Sequence, residues 1–127
     1  MSASTLDIRR TVSDTVRVPF EGLARATLPA GYQLSLVICG DSLSRKMNIQ
    51  YRKKHYAPNV LSFPLSKREG EIFLNIRKAA REARALGISP RARIAHLFVH
   101  GCAHLAGYAH GDRMDARERS ILARFGF

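Results

Sequence analysis

Four of the chain's five histidines fall between His96 and His110, and three of them, His100, His104 and His110, have the spacing of metal ligands. Residues four apart on an α-helix stand one turn above each other on the same face, so the imidazoles of His100 and His104 can aim at one point. Gly107 follows, and a glycine takes up the left-handed backbone that ends a helix at little steric cost. Such a turn can swing His110 back toward the first two imidazoles. A divalent ion on three imidazoles with an open fourth position, most often zinc, binds a water and lowers its pKa toward about 7, which generates a hydrolytic nucleophile.

The pattern His-x-x-x-His-x-x-Gly-x-x-His also has the ligand spacing of the metzincin peptidases, whose motif sets a glutamate directly after the first histidine as general base. Gly101 occupies that place here. Glycine cannot accept a proton, so the spacing supports a metal while the missing carboxylate argues against peptide hydrolysis by that route. His96 lies one turn before His100; with a rise of about 1.5 Å per residue, a metal well placed for two consecutive turns is badly placed for a third. His96 is therefore expected to support or pack rather than ligate. Cys102 should face the far side of the helix as a small packing residue.

These histidines need a frame, and the hydrophobic pattern supplies one. Thr5 to Ile8 alternates like a short strand, and Phe20, Leu23, Ala24 and Leu28 recur at helical spacing until Pro29-Ala-Gly31 breaks the segment. Gln33 to Cys39 reads as a core strand with Leu34, Leu36 and Ile38 on one face. Asp41 or Ser42 is placed to cap the next helix, with Leu43, Met47 and Tyr51 as its buried stripe. Asn59 to Phe63, ended by Pro64, and Glu71 to Leu74 should pair as a hairpin around the polar turn from Ser66 to Gly70. Asn75 caps an amphipathic helix, Ile76 to Leu86, with Ile76, Ala79, Ala80, Ala83 and Leu86 inward, and Gly87 stops it. Ser89 as cap and Pro90 at the first helical position start the ligand helix. A terminal helix spans Met114 to Phe125. Strands with helices before, between and after them read as a single compact α+β domain over residues 1–127.

The chain is long enough to bury a core without disulfides or a structural metal, so a metal can be catalytic. Two isolated cysteines and no leader or spanning apolar run indicate a soluble, reduced, cytoplasmic protein without a membrane anchor. Lys and Arg number 21 against 10 Asp and Glu, a formal +11 that points to a polyanionic partner, nucleic acid first. The densest basic run, Arg45, Lys46, Arg52, Lys53 and Lys54, lies on and just after the second helix with no acid among them. It reads either as a solvated helix face or as a phosphate contact.

Together, Tyr51-Arg-Lys-Lys54, Asn59-Val-Leu-Ser-Phe-Pro64, Gly70-Glu-Ile72, His100-Gly101, His104-Leu105, Gly107-Tyr108 and His110 resemble the YbeY endoribonuclease family of rRNA maturation factors. The resemblance covers about residues 34 to 125. It implies a mixed four-stranded sheet with helices around it, a zincin-like ligand helix, and one divalent metal, zinc, on His100, His104 and His110. It also implies single-strand-specific cleavage of RNA in small-subunit rRNA processing and ribosome quality control, with the ribosomal small subunit or its factors as partners. Arg52 matches the arginine that the family's proposed mechanism sets near the metal to meet phosphate; otherwise it is an exposed helix-end arginine. Three positions depart from the family. Ala109 stands where an aspartate is usual, Glu71 where a shorter aspartate is usual, which suggests a structural turn, and His55 where an aspartate often follows.

Three functions compete on these residues: a metal-dependent endoribonuclease with Arg52 steadying phosphate, a metallopeptidase-like hydrolase, and a non-catalytic ribosome-binding module stapled by a metal. Arg45, Lys46, Lys53 and Lys54 are the candidate RNA-binding surface in the first.

Overall fold

In the computed structural model, which describes residues 4–127, the sheet is organised about β2 (Gln33–Cys39). Successive side chains of a strand point to opposite faces, and both faces of β2 are covered. Leu34, Leu36 and Ile38 enter the larger core, together with Phe20 and Leu23 of α1 (Phe20–Thr27). Val37 and Cys39 enter a smaller cluster with Leu61 and Phe73, over which Leu43 and Met47 of α2 (Asp41–Arg52) pack half-buried. β1 (Thr5–Arg10) pairs parallel to β2, β2 pairs parallel to β4 (Glu69–Asn75), and β3 (Val60–Ser66) closes the other edge antiparallel to β4. The order β1-β2-β4-β3 is the expected mixed four-stranded sheet. Three helices follow it: α3 (Ile76–Leu86), α4 (Pro90–Leu105) and α5 (Asp112–Arg124). Among the described residues no helix is long and apolar enough to cross a membrane.

The sequence signals that bound α3 and start α4 hold. Asn75 Oδ1 accepts from the Lys78 backbone N–H at 3.1 Å, and Gly87, with φ +70°, ends α3 in the left-handed region. Ser89 Oγ accepts from the Ala92 N–H at 3.1 Å with Pro90 at the first helical position. α4 then lies across the sheet with Ile94, Phe98, Val99 and Cys102 in the main core.

Four local expectations fail, each for a visible reason. Neither Asp41 nor Ser42 caps α2; Gly40 holds the cap position without a side-chain bond. The Asp41 carboxylate is engaged instead by Asn75 Nδ2 at 2.9 Å and by both terminal nitrogens of Arg81 at 2.8 and 3.0 Å. These bonds, led by Arg81, hold its pKa down at about 2. Secondly, Leu43 and Met47 are only half-buried and Tyr51 is 58 % exposed, because the buried face of α2 is polar. Ser44 Oγ donates to the Pro58 carbonyl at 2.7 Å and Asn48 Nδ2 to the Tyr56 carbonyl at 3.0 Å, so this face anchors the loop that follows Arg52. Thirdly, β3 continues through Pro64 to a two-residue turn at Lys67 and Arg68, with a register shift between Pro64 and Ser66. An edge strand tolerates a residue that cannot donate to the ladder. Lastly, Leu86 is exposed, since residues 84–91, the end of α3 and the start of α4, all lie in solvent.

Candidate metal centre

The α4 spacing places His100 and His104 on one face, their ring centroids 4.7 Å apart. The helix ends at Leu105, and Gly107, with φ +95°, reverses the chain while the Tyr108 N–H returns to the Ala103 carbonyl at 3.0 Å. That turn delivers His110, whose ring lies 4.4 Å from His104 and 5.3 Å from His100. One nitrogen from each of the three rings falls within 4.8 Å of the others, with His100 and His104 half-buried and His110 exposed. Three imidazoles facing an open cleft can hold a divalent ion and leave it an open position.

Electrostatics favours the ligating form. Burial, then the neighbouring His100 and His110 and lastly Arg52, push the His104 pKa below its ordinary value, against a smaller opposing effect of Glu118. A neutral ring is the one that binds a metal. Glu118, on α5, is a residue that the sequence reasoning passed over. Its side chain is only 5 % exposed, and Oε1 lies 2.6 Å from His100 Nδ1. A carboxylate can only accept, so opposite Glu118 the ring donates from Nδ1 and keeps Nε2 free as a ligand atom. The signal was present: Glu118 follows Met114 by four and precedes Ile121 by three, an acid inside the buried stripe of α5. His96 stands outside the triad, as its helical phase requires. Its Nε2 is 3.6 Å from Glu118 Oε2 and its Nδ1 3.3 Å from an Arg93 nitrogen, and burial chiefly lowers its pKa.

Gly101 has a packing reason to be glycine. A Cβ there would meet Ser62 Oγ at 2.9 Å, Ile72 Cδ1 at 3.1 Å and Val60 Cγ2 at 3.3 Å, while Ser62 Oγ donates to the Gly101 carbonyl at 3.2 Å. The position where a metzincin carries its glutamate is here closed by the sheet.

The histidines open into a cleft of about 720 Å³ whose lining includes Arg52, Asn59, Ser62, Arg93, Asp115 and Glu118. Of the basic run, Arg52 alone is part of that lining. Arg45 and Lys46 line a separate groove with Ile49, Gln50 and Ala57. Lys53 and Lys54 are exposed beyond the helix end, Lys53 in the left-handed region with φ +59°. Glu71 lies inside β4 rather than in a turn, Ser35 Oγ reaching its carboxylate at 3.5 Å, and His55 is exposed. Cys102 is fully buried with its thiol pKa pushed up by burial, in keeping with a packing role.

With this geometry in place, three comparisons bear on the chain. The family model described as Endoribonuclease YbeY matches residues 2–126. A protein named Endoribonuclease YbeY from Pseudomonas entomophila is 35 % identical over 117 residues, covering 82 % of this chain and 74 % of that one. One of the same name from Aromatoleum aromaticum is 32 % identical over 140 residues, covering 99 % and 91 %. The solution structure of TM1509 from Thermotoga maritima shares the fold, with a TM-score of 0.69 over 93 % of this chain and 87 % of that one at 18 % identity.

Proposed function

This chain belongs to the YbeY endoribonuclease family, and from that premise we propose that it is a metal-dependent endoribonuclease cutting single-stranded RNA, in the cytoplasm, during small-subunit rRNA maturation and ribosome quality control. The observation that carries the reading is the convergence of His100, His104 and His110 in a cleft whose lining also includes Arg52. Those three imidazoles would hold one divalent ion, zinc by the chemistry of an all-nitrogen set, which when bound polarises a phosphoryl oxygen and activates water.

The chain's own residues supply the rest. Glu118 holds the proton of His100 at Nδ1 and so orients the ring. Arg52 presents a planar fork of donors that grips phosphate oxygens and offsets charge developing on them, which a lysine cannot match in geometry. Arg45, Lys46, Lys53 and Lys54 add a positive field that draws the strand toward the cleft.

The same residues disfavour the two rival readings. Position 101 is a glycine packed against Ser62, Ile72 and Val60, so a metzincin-like peptidase lacks its base. A metal that merely staples the fold is at odds with the exposure of His110 and with two hydrophobic clusters that do not include the triad. The test incubates purified, metal-loaded protein with single-stranded RNA, the matching duplex and an unfolded protein substrate. Cleavage of the single strand alone is the expected result; proteolysis, or no cleavage of any of the three, would overturn the reading.

A further inference from the structure

Tyr51 is more exposed than its place in the sequence pattern allows for. The residue is 58 % exposed, yet its ring packs against Phe63 with centroids 5.2 Å apart and planes at 52°. Phe63 in turn meets Phe73 edge-on at 5.9 Å in the smaller core cluster, so the support beneath Tyr51 is anchored in the sheet. Along β3, Ser62 points to α4 and the histidine cleft, and Phe63, the next residue, points to the α2 face. Arg52 connects the two sides: it is part of the cleft lining, and its guanidinium carbon is 6.0 Å from the Phe63 ring centroid. Leu65, at the register shift of the same edge strand, is 60 % exposed.

We infer that Tyr51 is a stacking platform for an unpaired nucleobase of the strand whose phosphate lies at Arg52. This rests on the endoribonuclease reading and extends it from phosphate to base. An exposed aromatic ring beside a lone cation has many uses, but residues 42–54 contain five Lys and Arg and no acid, which matches a polyanion carrying flat apolar faces. Bases in a duplex bury their faces against each other, whereas a single strand can present one to a protein ring, and such stacking tolerates any sequence. Because Phe63 already fixes the ring, little side-chain freedom remains to be lost on binding. The platform therefore gives the cleft a physical means of selecting unpaired RNA over duplex that phosphate contacts alone lack.

The test is equilibrium binding of a 2′-O-methyl single-stranded oligonucleotide, checked for integrity after each titration, and of an abasic strand with the same phosphates. The proteins are metal-loaded wild type, Tyr51→Phe and Tyr51→Ala, with thermal melts confirming that each is folded. Tyr51→Ala should bind the base-bearing strand about tenfold more weakly, the scale of one lost base–aromatic stack. Tyr51→Phe should bind as wild type does, all three should bind the abasic strand alike, and the salt dependence should be unchanged because no phosphate contact has been removed. If wild type binds and Tyr51→Ala binds the base-bearing strand equally well, the platform is overturned while the role of Arg52 stands. Wild type that binds neither strand would overturn the endoribonuclease reading, and this inference with it.

Discussion

Glu118 on α5 reaches across eighteen positions of sequence to set its Oε1 2.6 Å from the Nδ1 of His100 on α4. The contact makes the terminal helix part of the candidate metal centre. Buried carboxylates of this kind orient a ligand ring and raise its basicity, and removing one commonly lowers metal affinity about 10- to 100-fold. Glu118→Gln, which keeps the volume, is expected to weaken metal binding by that factor while the metal-free protein still folds cooperatively. Competition with a chromophoric chelator measures it. Unchanged affinity would reduce Glu118 to a buried counter-charge.

Gly101→Glu restores the metzincin pattern on paper and should fail in the molecule. The new side chain would be driven into Ser62, Ile72 and Val60. Overpacking together with a buried carboxylate should lower stability by at least about 2 kcal/mol. Denaturant unfolding is the measurement, and a well-folded Gly101→Glu protein that hydrolyses peptides would contradict the steric account.

How much of this was legible in the sequence follows from the range of each cause. Helix α4 was readable because its signals are local: the Ser89 cap, Pro90 after it, the four-residue histidine step and the glycine that reverses the chain. β2 was readable because its apolar run is bounded by the Pro29-Ala-Gly31 break before it and by Gly40 after it. What was misread depends on partners distant in the chain. Asp41 looks like a cap until Arg81, forty residues on, is folded beside it. Tyr51 looks buried until the polar side chains of Ser44 and Asn48 are found holding the carbonyls of Pro58 and Tyr56. Glu118 could have been noticed on the stripe with Met114 and Ile121, but only the packing of α5 on α4 gives it His100 as a partner.

Asp41 gives the fold a small acid sensitivity. Its pKa is lowered from 3.8 to about 2 in the folded chain, first by the hydrogen bond from Arg81 and then by that from Asn75. A depressed carboxyl pKa contributes stability above the unfolded value, and that contribution is lost as pH falls through the folded value. The melting temperature of wild type should therefore exceed that of Asp41→Asn at pH 7, with the gap closing between about pH 4 and pH 2. The gap itself should be modest, since the ion pair is half exposed. A gap that persists at pH 2 would mean that the charge of Asp41 is not what stabilises.

Arg52 should be a matter of geometry rather than charge. If its fork grips the reacting phosphate, Arg52→Lys should slow single-turnover cleavage of single-stranded RNA about 100- to 1,000-fold, as losing one such stabiliser typically does. Lys53→Ala, outside the cleft lining, should cleave at nearly the wild-type rate and bind only modestly less well. RNA affinity and metal content are measured beside the rates, so that a binding or folding defect is not mistaken for lost turnover. Near-wild-type cleavage by Arg52→Lys would make the arginine a surface charge.

In the proposed function His100, His104 and His110 together hold the metal on which RNA cleavage depends. Elemental analysis and cleavage of single-stranded RNA, run on the same samples of wild type, His104→Ala and His96→Ala before and after chelation and metal return, test it most directly. Wild type and His96→Ala should carry one divalent ion per chain, lose cleavage on chelation without loss of helical circular dichroism, and regain it on metal return. His104→Ala should carry none and cleave nothing. Full metal occupancy in His104→Ala, or undiminished cleavage by chelated wild type, would contradict the account.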